Sequence, residues 1–234
     1  MRGRGWIAGL LLAIAWLGTG TARAEPPDGL PLVELPAQGQ GDLLAIVWSG
    51  DGGWADLDKV IGESLAQKGV AVIGVDTLKY FWKEKPPERV AADVALIIRH
   101  YGDLWDRRKV VLIGYSFGAD VLPFAYNRLP APEKERVVQL SLLALSTFAD
   151  FEFHLVNWVS DERHADSLDT APELARLGSV PVQCFFGSDE AADSGCMQPQ
   201  IRPDQRIEIK GGHHFDGDYE ALAKRILAAA EAAG

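Results

Sequence analysis

Residues 110–118 read Val110-Val111-Leu112-Ile113-Gly114-Tyr115-Ser116-Phe117-Gly118, an apolar run that ends in a G-x-S-x-G pentapeptide. An unbroken run of this kind, spanning 109–115, suits a strand buried on both faces. Residues 117–129 read as a helix, so the pentapeptide falls where a strand turns sharply into a helix. Glycines on both sides of the serine suit such a turn, which is strained and passes close to neighbouring chain. The turn lifts one hydroxyl, that of Ser116, clear of the backbone. The pentapeptide alone is a weak signal, compatible with a glycine-rich turn that does no chemistry. Its setting between strand and helix makes Ser116 a candidate nucleophile.

The same alternation continues outward in both directions. Strands are expected at 43–48, 70–75, 137–145, 180–186 and 206–209, and further helices at 57–67, 88–100 and 219–230. Val90, Val94, Ile97 and Ile98 form the apolar stripe of helix 88–100. Lys68-Gly69 stops the helix before it. Near-continuous apolar strands separated by helices predict a mostly parallel sheet covered on both faces. The fold class is therefore α/β, with a minimal or small cap. Residues 147–178 break the alternation. Phe151, Phe153 and Leu155 stand there at alternate positions, followed by Trp158 and a polar stretch, which suits a small cap or hairpin over the site.

The chain has 234 residues, and the first 24 do not read as part of the fold. Arg2 and Arg4 precede a short apolar core at 6–17, and Ala22-Arg23-Ala24 is a small-x-small cleavage site. That is the layout of a secretory signal peptide, and the apolar run is shorter than the roughly 20 residues a spanning helix needs. An uncleaved anchor is the alternative. No cysteine lies near the cleavage site, which argues against a lipid-modified start. The expectation is an exported, periplasmic protein with a lead-in at 25–40 and one domain at 41–234. Formal charge is −10 for the whole chain and −13 without residues 1–24, which hold three arginines and no acid. Such acidity argues against nucleic-acid partners, would be repelled by anionic membrane and would attract cationic substrates, unless it serves solubility alone.

Cys184 and Cys196, the two cysteines of the chain, stand twelve residues apart. In an oxidising compartment such a pair is expected to close a disulfide, the alternative being two separate buried thiols.

Serine needs a base at neutral pH. Among five histidines, His100 ends a helix, and His154 and His164 lie in the irregular insert. His213 and His214 follow the last expected strand in Gly211-Gly212-His213-His214-Phe215, at the same sheet edge as Ser116. His213 is the expected base, with His214 the alternative. A metal site of the two histidines with Asp216 and Asp218 lacks a completing ligand, so neither metal nor cofactor is expected. A carboxylate must orient the base. Gly187-Ser188-Asp189-Glu190-Ala191-Ala192-Asp193 follows the strand at 180–186 and offers three acids. Glu190 is expected, with Asp189 close behind, Asp193 also in the loop, and Asp150 more remote. Cys184 and Cys196 bracket all three loop acids, so a disulfide would stiffen them.

An attacked carbonyl also needs backbone donors for its developing oxyanion. One is expected from Phe117 and the other from Asp51 in Ser49-Gly50-Asp51-Gly52-Gly53-Trp54, after the strand at 43–48. Gly50 and Gly52 let that backbone approach a substrate. The Asp51 carboxylate must point away from an oxyanion, toward a cation on the substrate. A phosphate-binding reading of this loop fails, because the lysine and spacing of a P-loop are absent. Tyr80-Phe81-Trp82 follows the strand at 70–75 and should reach the same edge, with Tyr80 and Trp82 lining a pocket or meeting lipid, unless these rings are core. Asp216 is a further candidate for a substrate cation. Asp120, behind Ser116, suits a hydrogen bond to neighbouring loops.

As a set, Ser49–Trp54, Tyr80-Phe81-Trp82, Gly114–Asp120, Ala149-Asp150-Phe151-Glu152, the paired cysteines and Gly211–Asp216 resemble the VirJ/AcvB family of bacterial virulence proteins, over residues 41–230. The resemblance is to the short, single-domain form. It implies a fold of the α/β-hydrolase type and an exported serine hydrolase that removes the aminoacyl group from aminoacylated phosphatidylglycerol, lysyl-phosphatidylglycerol above all. By the same analogy it implies contact with the membrane surface and with secretion-system or virulence proteins. Two other readings stand beside it: a carboxylesterase or lysophospholipase of different specificity, and a periplasmic interaction protein with a vestigial site.

Overall fold

The computed structural model describes residues 27–153 and 163–233. The expected leader at 1–24, and His154, Leu155 and Trp158 of the expected cap, lie outside the described residues. In chain order the elements are β1 (Leu32–Leu35), β2 (Leu43–Trp48), α1 (Asp56–Gln67), β3 (Ala71–Val75), α2 (Thr77–Tyr80), α3 (Pro87–Leu104), β4 (Lys109–Tyr115), α4 (Phe117–Asn127), α5 (Ala131–Arg136), β5 (Val137–Leu143), β6 (Phe148–Ala149), β7 (Leu168–Asp169), α6 (Ala171–Leu174), β8 (Val182–Gly187), β9 (Arg206–Ile209) and α7 (Tyr219–Ala233).

Seven strands form one sheet in the order β1-β3-β2-β4-β5-β8-β9. Every neighbouring pair is parallel except β1 with β3. The apolar runs occupy the interior of this sheet because only strands covered on both faces can bury every side chain. Leu44, Ile46, Ile73 and Leu112 join the α3 and α4 side chains on one face. Ala45, Val47, Val72, Val111 and Ile113 join α1 and α7 on the other. Among the described residues no helix is long and apolar enough to cross a membrane.

The sheet departs from the sequence reading at its margins. β1 comes from the stretch read as lead-in and pairs antiparallel with β3, from Leu32 opposite Val75 to Leu35 opposite Val72. β5 stops at Leu143 rather than 145, because Ala144 adopts a positive φ of 54° and turns the chain away. In the insert, β6 and β7 pair as a two-residue antiparallel stem. The insert is also stitched to the segment after α2, since the Phe153 N–H donates to the Phe81 carbonyl (2.7 Å) and Lys85 N–H to the Phe151 carbonyl (2.9 Å).

Candidate active site

The carboxyl edge of the sheet gathers loops from β2, β4, β8 and β9. Ser116 sits at the β4–α4 junction with φ 51° and ψ −119°, a conformation costly for a residue with a side chain. Close backbone passage explains its flanking glycines. A Cβ on Gly114 would stand 2.5 Å from the Gly118 carbonyl oxygen, and one on Gly118 would stand 2.7 Å from the Ser49 carbonyl oxygen. The Ser116 N–H is tied to the Leu143 carbonyl at 2.8 Å. The hydroxyl is therefore presented by a turn that the rest of the structure holds in shape.

His213 Nε2 lies 2.9 Å from Ser116 Oγ, and His213 Nδ1 lies 3.2 Å from Glu190 Oε2. Glu190 closes a single 3-10 turn, Ser188–Glu190, directly after β8. Successive side chains in such a turn rotate by about a third of a circle. Asp189 accordingly leaves for solvent and bonds Ser188 Oγ (3.1 Å), while its N–H donates to the Gly211 carbonyl (3.0 Å). Asp150 is held by Ser167. His214 does not reach Ser116 Oγ in a hydrogen bond; its Nδ1 meets Tyr115 Oη at 3.0 Å. Phe215, fully buried, anchors the histidine loop from beneath. Cys184 and Cys196 form a disulfide across the acid loop, and Gly195 N–H fixes the far side of that loop to the Leu145 carbonyl at 2.6 Å.

The glycine loop after β2 is also braced. Ser49, fully buried, accepts the Thr77 N–H at 2.9 Å and donates to the Gly50 carbonyl at 3.1 Å. A Cβ on Gly50 would meet the Tyr115 ring at 3.2 Å and Ser116 Cβ at 3.6 Å, so this backbone lies against the nucleophile turn. Gly52 faces open space. Phe117 is the first residue of α4, where backbone N–H groups have no intrahelical acceptor. Asp58, 1% exposed, accepts the Ala55 N–H at 3.2 Å and caps α1 below the loop. Burial, reinforced by the nearby Asp76 carboxylate and opposed by the Ala55 hydrogen bond, pushes its pKa up to about 7.

One expected substrate contact is corrected. Tyr80 is 1% exposed and its hydroxyl donates to Asp93 at 2.6 Å, so it is core, turned inward by the short helix α2. Asp216 folds back onto its own loop, 3.3 Å from Lys210 Nζ. Trp82 does emerge, 60% exposed and stacked on Phe153 at 5.9 Å. It borders an aromatic series in which Phe81 packs on Phe117 (5.0 Å) and on Phe151 (6.1 Å). Asp120 accepts the Ser146 N–H at 2.7 Å, joining the nucleophile helix to the loop after β5. Asp218 caps α7 by accepting the Ala221 N–H at 3.2 Å. Among the described residues no group of three or more His, Cys, Asp or Glu is gathered as for a metal ion.

Sequence reading passed over Ser49, Asp58 and the hydroxyl of Tyr115. The first two carry a faint signal, a polar residue immediately after a strand and an acid three residues beyond a helix N-cap.

A family model described as bacterial virulence protein (VirJ) matches residues 42–233. No curated protein sequence matches the chain. Solved structures share the fold at low identity. Est1E from Butyrivibrio proteoclasticus superposes with a TM-score of 0.59 at 15% identity, covering 85% of this chain and 93% of that one. MenH from S. aureus gives 0.62 at 13% identity, covering 86% and 98%. A lipase in its open form gives 0.60 at 14% identity, covering 85% and 94%. These similarities establish an α/β-hydrolase fold.

Proposed function

We propose that this chain, which belongs to the VirJ family of bacterial virulence proteins, is a serine hydrolase that cleaves a carboxylic ester. The observation that carries the reading is the continuous contact from Ser116 Oγ to His213 Nε2 (2.9 Å) and from His213 Nδ1 to Glu190 Oε2 (3.2 Å). Glu190 holds the proton of His213 on Nδ1, which leaves Nε2 free to accept. Ser116 Oγ attacks the ester carbonyl as His213 takes its proton. The N–H groups of Phe117 and Asp51 receive the oxyanion. Collapse of the intermediate breaks the ester C–O bond, and His213 returns the proton to the departing alcohol. Water, deprotonated by the same imidazole, then releases the acid from acyl-Ser116.

The substrate we propose is aminoacylated phosphatidylglycerol, above all its lysyl ester, met at the periplasmic membrane surface after export by the leader at 1–24. Support comes from the family resemblance and from a strongly acidic chain suited to a cationic aminoacyl group. Exposed Trp82 suits a lipid interface. The test incubates the protein with vesicles of phosphatidylglycerol with and without lysyl-phosphatidylglycerol. Release of lysine by wild type and none by Ser116→Ala is expected. Release of fatty acid from unmodified phosphatidylglycerol instead would reassign it as a lipase of other specificity. No turnover of any ester, with no labelling by a fluorophosphonate, would end the hydrolase reading.

A further inference from the structure

The loop that carries His213 has far to travel. β9 lies three strands from β4 in the sheet, roughly 14 Å at the usual strand spacing, so the loop must reach back across the ends of β8 and β5 to bring the imidazole to Ser116. It does so through one irregular 3-10 turn, Phe215–Gly217, and Gly211, Phe215, Asp216 and Gly217 all have positive φ. What holds its tip is the side chain of the residue before the nucleophile. Tyr115 Oη lies 3.0 Å from His214 Nδ1 and 3.3 Å from the His213 carbonyl oxygen. One hydroxyl hydrogen cannot serve both acceptors. Both contacts are satisfied together when Tyr115 donates to the His213 carbonyl and accepts the Nδ1–H of His214.

The ring has a second neighbour. It is buried, with its centroid 5.4 Å from that of His213, and its other edge lies where a Cβ on Gly50 would meet it at 3.2 Å. Tyr115 thus touches the base loop and the glycine loop at once, and being adjacent to Ser116 it references both to the nucleophile. Burial raises the pKa of its hydroxyl, so it remains a neutral donor across the working pH range.

We infer that Tyr115 is a positioning residue that, through its hydroxyl, pins the His213–His214 backbone so that His213 Nε2 stays on Ser116 Oγ. The inference rests on the proposed roles of Ser116 and His213, and the test separates the two. The rate of Ser116 labelling by a fluorophosphonate, and kcat and KM for p-nitrophenyl acetate, are measured for wild type, Tyr115→Phe, His214→Ala and the double variant. Expected are labelling and kcat slower by about tenfold or more in Tyr115→Phe and by less in His214→Ala, which keeps the bond to the His213 carbonyl, with KM within about twofold of wild type and a double variant no slower than Tyr115→Phe. A purely structural role would lower the melting temperature and leave the rate per folded molecule unchanged. Wild-type rates in folded Tyr115→Phe would overturn the inference. Should that variant not fold, Tyr115→Met, which also lacks the hydroxyl, decides, and a wild-type rate there overturns it equally. Failure of wild type itself to label would strike the hydrolase reading instead.

Discussion

Gly187 and Gly211 meet backbone to backbone: a Cβ on Gly187 would stand 2.5 Å from the Gly211 carbonyl oxygen, and the Gly212 carbonyl blocks it from the other side. The last residue of β8 and the start of the histidine loop therefore share one surface with no room for a side chain. Through that surface the position of Glu190 is referred to that of His213. Gly187→Ala should push the loops apart and lower kcat by roughly tenfold to a hundredfold, since small misplacements of catalytic groups cost rate steeply. Steady-state kinetics on p-nitrophenyl acetate check this, and an unchanged kcat would show the loops to be independent.

Ser116 combines chemistry with backbone strain. Ser116→Ala should lower kcat by roughly 10³-fold or more while leaving stability near wild type. Ser116→Gly should be equally inactive yet more stable by about 1 kcal/mol, because glycine accepts a positive φ without a Cβ penalty. Thermal melts of the two variants side by side read the difference. Equal melting temperatures would mean that the turn stores no strain.

The acid is distinguished from its neighbour by a pair of isosteric changes. Glu190→Gln should reduce kcat by roughly 10²- to 10⁴-fold, because the amide no longer fixes the His213 tautomer. Asp189→Asn should change it little, since among the described residues its side chain accepts a bond from Ser188 alone. The opposite ranking would move the role to Asp189.

Joining Cys184 to Cys196 closes the segment that carries Glu190. Cys184→Ser/Cys196→Ser should lose roughly 3 kcal/mol of stability by the chain-entropy argument. It should also lower kcat more than KM, since the loosened segment orients His213 rather than substrate. Urea unfolding and kinetics on the folded variant measure the two effects separately.

Asp58 makes stability depend on pH. Its folded pKa of about 7 lies above the unfolded value of 3.8, so the folded state binds the extra proton between those limits. Its contribution is then most favourable at the acid end of that window, declines as pH rises through it and levels off above about 7. Asp58→Asn removes the titration while keeping an acceptor for the Ala55 N–H. The variant should gain on wild type as pH rises from 4 to 8, by an amount on the order of 2–4 kcal/mol. Parallel denaturation at several pH values checks the trend, and a difference independent of pH would refute it.

The central strands and their helices were legible because burial on both faces demands unbroken apolar runs, which the chain supplies at β2, β3, β4 and β8. β1 was not, since a four-residue edge strand paired on one side carries little periodic signal. Position along the chain told that Tyr80-Phe81-Trp82 reaches the carboxyl edge, but the four-residue helix α2 decides which ring faces in, and Tyr80 does. For the acid, sequence favoured Glu190 and kept Asp189 and Asp193 as alternatives. The 3-10 turn after β8 separates them, a local twist that spacing does not encode. The tie from Tyr115 to the histidine loop joins residues 99 positions apart and has no sequence signal at all.

The aromatic border of Phe81, Trp82, Phe151 and Phe153 hangs on two backbone hydrogen bonds between segments that carry none of Ser116, His213 or Glu190. Exposed Trp82 and half-buried Phe153 can therefore vary without disturbing the core rings Phe81 and Phe151 beneath them or the stretches that carry the reacting groups. Diversity among homologues should accordingly gather along that border and thin out around the imidazole.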